Sequence, residues 1–77
     1  MANERTLDVR DAIRAGGEPF DAILQAVSEL ADSEDLILLA PFEPVPLYGV
    51  LAAKGFAHVT QALVGGDYQV RFTRSGV

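Results

Sequence analysis

The stretch Phe42-Glu43-Pro44-Val45-Pro46-Leu47-Tyr48 decides how this chain folds. It follows the unbroken apolar run Leu36-Ile37-Leu38-Leu39-Ala40 and precedes Leu47, Val50 and Leu51, which recur at three- and four-residue spacing. Each proline fixes φ near −65° and withholds an N–H, so a strand stops at the pair, whereas a helix opens readily on it. The run before it is apolar without alternation, the pattern of a central strand covered on both sides. The stretch therefore reads as a strand-to-helix crossover.

Toward the N-terminus, Thr6 to Arg10 alternates Leu7 and Val9 against Asp8 and Arg10, the period of a strand buried on one face. A loop of small residues ending in Gly16-Gly17 leads to Pro19. Phe20, Ile23, Leu24, Val27 and Leu30 then fall on one helical stripe, which Asp32-Ser33-Glu34-Asp35 closes. Toward the C-terminus, Lys54-Gly55-Phe56 reads as a helix stop, with Gly55 left-handed and Phe56 folded back onto Leu51. Ala57 to Val64 and Asp67 to Arg74 read as two strands joined by Gly65-Gly66 as a two-residue hairpin loop. That register sets Leu63 opposite Tyr68, Val59 opposite Phe72 and Gln61 opposite Val70. The order β-α-β-α-β-β predicts an α/β two-layer sandwich with two helices on one face of the sheet.

The chain has 77 residues, 49% of them hydrophobic, enough for a single domain over residues 1–77 with one small core. It has no cysteine, which removes a disulfide framework, a thiolate nucleophile and every cysteine-containing metal site. A net charge of -5 opposes nucleic acid as a partner, because such binding rests on lysine and arginine displacing counterions. No apolar stretch approaches the roughly 20 residues of a membrane span, and Met1-Ala2-Asn3-Glu4-Arg5 lacks the apolar run of a signal peptide. A cytoplasmic protein without a membrane partner is expected, and no cofactor or metal motif is present in the sequence.

In Leu7-Asp8-Val9-Arg10, Glu18-Pro19-Phe20, Pro44-Val45-Pro46-Leu47-Tyr48 and Lys54-Gly55-Phe56 the chain resembles the TusA/SirA-like proteins. It resembles more closely a related family of uncharacterised bacterial domains of unknown function. The resemblance implies a four-stranded mixed sheet of order 1-2-4-3, with Leu36 to Ala40 central. Sulfur carriers of the TusA type place a cysteine before the proline that opens the first helix, where dipole and backbone amides stabilise a thiolate. Glu18 stands there in this chain, so persulfide carriage does not come with the fold. Members of the uncharacterised group carry histidines before the first helix and before the proline cluster, which suggests metal or haem. Glu18 and Phe42 hold those places here and weaken that reading.

Glu18 and Glu43 both sit where strands hand over to helices, and with Tyr48 they form the candidate pocket. A carboxylate pair of this kind is the basis for an enzyme reading, though no catalytic set accompanies it. His58, the one histidine, is expected to face solvent on an edge strand. With Leu7, Val9, Ile37, Leu39, Tyr68, Val70 and Phe72 turned to the helices, Leu36, Leu38 and Ala40 point outward on the open sheet face. Arg10 and Arg71 lie on the rim of that apolar strip, which suits a protein partner or a second copy of the chain. The functional expectation is a non-catalytic binding or adaptor module, linked by resemblance to sulfur or redox metabolism. The alternatives are a small-ligand or metal-binding sensor, or a carboxylate enzyme using Glu18 and Glu43.

Without a thiol the chain has no atom on which to carry sulfane sulfur. Incubation with a persulfide donor should leave none on the purified protein by cyanolysis; protein-bound sulfane sulfur would overturn this.

Overall fold

The computed structural model describes residues 3–17 and 19–74. In chain order its elements are β1 (Asn3–Asp8), α1 (Arg10–Arg14), α2 (Phe20–Glu29), β2 (Glu34–Ala40), α3 (Val45–Ala52), β3 (Phe56–Ala62) and β4 (Tyr68–Arg74). They build a four-stranded sheet of order β1-β2-β4-β3, with β1 and β2 parallel and the other pairs antiparallel. This is the expected mixed sheet with 1-2-4-3 order. The crossover through α2 accounts for the parallel pair, and the hairpin for the last two strands.

The short helix α1 is an addition to the two expected. The first strand ends at Asp8, whose carboxylate accepts the Arg10 backbone N–H at 3.0 Å and holds the first turn. At the other end the Gly16 N–H donates to Ile13 O at 2.9 Å and the Gly17 N–H to Ala12 O at 2.8 Å. These are the paired bonds of a Schellman ending, with Gly16 at φ 85°. A Cβ on Gly17 would lie 2.8 Å from Ala12 O, so only glycine fits there. Gly16-Gly17 is thus a helix stop rather than part of a plain loop.

Leu36, Leu38, Ala40, Val70 and Phe72 form one core with Ile23, Ala26, Val27 and Leu30, and with Leu47 and Leu51. Leu36 and Leu38 are both 0% exposed. This corrects the expected outward strip: Leu36 and Leu38 point at the helices, and Ile37 and Leu39 take the other face. The cause is the two-residue period of a strand. Leu36 pairs with Phe72 and Leu38 with Val70, and cross-strand partners share a face. Ile37, paired with Arg71, is itself only 7% exposed. On that open face Arg71 binds Asp35 at 2.6 Å and also pairs with Glu4. An ionic network therefore crosses the surface expected to be apolar. Arg10 is held too, by Asp8 at 2.8 Å and Asp67 at 3.0 Å, and its guanidinium draws the Asp8 carboxyl down to about 2.

The hairpin is offset by one residue from the expected register. The Leu63 N–H donates to Asp67 O at 2.7 Å, which leaves Val64-Gly65-Gly66 as a three-residue loop. Thr60 then pairs with Val70 and His58 with Phe72, and Gln61 meets Gln69 rather than Val70. A one-residue slip turns every side chain of a strand over. Here it sends His58 and Thr60 to the helix side and leaves Val59 on the open face, 69% exposed.

Truncating Leu38 to alanine should cost about 2–5 kcal/mol in denaturant unfolding, because it empties a fully enclosed site. Leu38→Asp should not fold at all by circular dichroism. A folded Leu38→Asp protein would mean that the strand presents its other face to the helices.

Candidate functional site

The parallel strands β1 and β2 end side by side, at Asp8 and Ala40. The chain leaves β1 into α1 and β2 into the proline stretch before α3, and the carboxyl ends of strands are where open α/β sheets take ligands. A pocket of about 270 Å³ opens there. Its floor is Leu38 and Ala40 of β2 with Val9, and Ile13 of α1 closes one side. Pro19, Phe20 and Ile23 from the head of α2 form the second wall, and Phe42, Pro44, Pro46 and Leu47 from the crossover form the third. Every lining side chain is apolar. Three of the chain's four prolines line it, which fixes the rim before any ligand arrives. Phe42 at that rim is 47% exposed and Phe20 38%.

A polar cluster lies between α3 and β3. The Tyr48 hydroxyl donates to Glu43 Oε2 at 3.2 Å and hydrogen-bonds with Thr60 Oγ1. The His58 ring stacks on Tyr48 with centroids 3.7 Å apart and planes 7° from parallel. Both rings tilt over Phe72, each with a centroid distance of 6.4 Å. Burial pushes the Tyr48 phenol above its ordinary value; the Thr60 hydrogen bond opposes the shift and the Glu43 carboxylate adds to it. His58 is therefore not simply a solvent-facing edge residue. It stays exposed, but the hairpin offset lays its ring on Tyr48.

Of the expected pocket residues, Glu43 and Tyr48 meet, yet neither lines the apolar pocket. Glu18 lies outside the described residues. Arg10 and Arg71 are engaged by carboxylates, and Leu36 and Leu38 belong to the core. Among the described residues no group of three or more His, Asp or Glu side chains is set to hold a metal ion. The pocket itself escaped the sequence reading. Its signal was present in Pro19-Phe20 and Pro41-Phe42, two proline-aromatic pairs at the strand-to-helix crossovers, where a large ring has little neighbouring chain to bury it.

The chain belongs to DUF2249, a family of uncharacterised conserved proteins whose profile matches residues 6–74. No curated protein and no solved structure matches it. Among the described residues no helix is long and apolar enough to cross a membrane.

The Tyr48 cluster ties α3 to β3, so Tyr48→Phe should lower stability by ~0.5–1.5 kcal/mol, the net worth of a lost hydrogen bond. A phenol whose pKa is raised on folding contributes stability below its unfolded value of about 10, and this is lost as pH rises above it. Wild type should therefore lose more stability than Tyr48→Phe in alkaline melting curves. Parallel curves for the two proteins would refute the role given to Tyr48.

Proposed function

We propose that this member of an uncharacterised family is a non-catalytic binding module that seats one apolar side chain of a partner protein in the pocket beyond β1 and β2. The observation that carries the reading is that every side chain lining the pocket is apolar. Small-molecule sites, roughly 300–1,000 Å³, place a few polar groups to orient their ligand, and no side chain lining this pocket is polar. A volume near 270 Å³ without such groups suits a leucine, methionine or phenylalanine anchor, the kind of residue that dominates protein interfaces. The preformed proline rim favours the same use, since little ordering remains to be done on binding.

Charge at the rim supports a basic partner. Asp21 follows Phe20, Glu43 follows Phe42, and both are exposed. The cations next to the pocket walls, Arg10 and Arg14, are bound by Asp8 and Asp67 and by Asp67 respectively. An apolar anchor flanked by lysine or arginine would be steered toward such a surface. The expected adaptor role is cytoplasmic, which suits a core that uses no disulfide. Kinship with TusA/SirA-like carriers, and with it a place near sulfur or redox metabolism, is supported by the 1-2-4-3 sheet and by Pro19 at the head of α2.

The test is a methyl-resolved NMR titration with short lysine-rich peptides that differ only in a central leucine, phenylalanine or alanine. The first two should shift the methyl signals of Ile13, Ile23, Leu38 and Leu47, and the alanine peptide should not. Phe42→Asp, a change at an exposed position, should weaken binding about tenfold or more. Equal binding of the alanine peptide, or shifts confined to residues away from the pocket, would contradict the proposal.

A further inference from the structure

We infer that the free edge of β3 pairs with the same edge of a second copy of the chain, antiparallel about a two-fold axis at Val59, joining two sheets into one of eight strands. Both ends of the sheet order are edges, and the two edges differ in kind. β1 carries Glu4, Arg5 and Asp8, each in an ion pair with its own chain. Charges of this kind are the usual protection of an edge against pairing. β3 has none: from Gly55 to Gly66 there is no aspartate, glutamate, lysine or arginine, in a chain of net charge -5. Two acidic chains can approach along this stretch without bringing like charges together.

The hydrogen-bond pattern says which backbone groups wait there. Leu63 bonds to Asp67 across the hairpin. Antiparallel residues alternate between bonded and non-bonded pairs, so Gln61, Val59 and Ala57 turn their backbone groups to β4. Phe56, His58, Thr60 and Ala62 then turn theirs to the free edge. The bond from the Val9 N–H to Leu39 O, at 3.0 Å on the far side of β2, fits the same alternation carried across the sheet.

Val59 is the midpoint of β3. A two-fold axis through it sets Phe56 against Ala62 of the second copy and His58 against Thr60, so all four outward residues are bonded at once. Val59 meets its own counterpart in a non-bonded pair, the closer of the two kinds. Its 69% exposed side chain on the open face is then covered by an identical one.

Because the chain has no cysteine, the axis can be tested by cross-linking. The Cα atoms of a non-bonded pair are about 4.5 Å apart, within the span of a disulfide. Residue 61 lies two places from the axis, so its two copies are separated by about 13 Å along the strands, beyond that span. Val59→Cys should therefore form a disulfide-linked dimer under mild oxidation, and Gln61→Cys should not. Wild type should sediment at twice the chain mass at millimolar concentration. Val59→Lys, which puts two like charges on the axis, should sediment at the single mass with an unchanged circular dichroism spectrum. A wild-type chain that stays monomeric, or a Gln61→Cys protein that cross-links as readily as Val59→Cys, would overturn the inference.

Discussion

The exclusion of water from Leu36, Leu38, Val70 and Phe72 is the constraint to which the rest of the molecule is referred. These four residues occupy adjacent positions on the two inner strands, and all are 0% exposed. Burying large apolar side chains is the main favourable contribution available to a chain without disulfides, at roughly 1.5–3 kcal/mol each. Once this layer faces α2 and α3, strand geometry leaves no choice for its neighbours. Ile37 and Leu39 must take the open face, and Asp35, Arg71 and Glu4 share that face as an ionic network.

The same layer governs both proposed surfaces. Leu38 is at once part of the core and a lining residue of the pocket, so the pocket abuts the packed layer at the carboxyl end of β2. Pro19 stands at the head of α2, and Pro44 and Pro46 at the head of α3, so residues of fixed φ line it on two sides. At the opposite side of the sheet, the hairpin offset determines which half of β3 faces the helices. Thr60 and His58 dock against Tyr48, and the outer edge of β3 is left neutral, without the charged residues that β1 carries.

Most of the fold was legible because its signals are local. The Phe20 to Leu30 stripe, the proline crossover and the paired strands around Gly65-Gly66 each declare themselves within about ten residues. Resemblance supplied the strand order, which no local signal contains. What failed was parity. The run Leu36-Ile37-Leu38-Leu39-Ala40 has no alternation, so nothing within it says which half faces the helices, and only its pairing with Val70 and Phe72 decides. The hairpin failed for a related reason, since Gly-Gly serves a three-residue loop as well as a two-residue one, and the difference of one residue reassigns His58 and Val59. Helix α1 was hidden by its length of five residues, and the Asp8 carboxylate that accepts the Arg10 N–H is a single local contact that leaves no periodic pattern in the sequence.

The register of β3 against β4 governs both features, because the Tyr48 and His58 stack and the character of the free edge follow from it. Residue-resolved amide hydrogen exchange along β3, at low protein concentration, measures it most directly. Slow exchange is expected at Ala57, Val59 and Gln61, which donate to β4, and fast exchange at Phe56, His58, Thr60 and Ala62. The reverse alternation, with His58 and Thr60 protected and Val59 and Gln61 open, would establish a two-residue hairpin loop and contradict it.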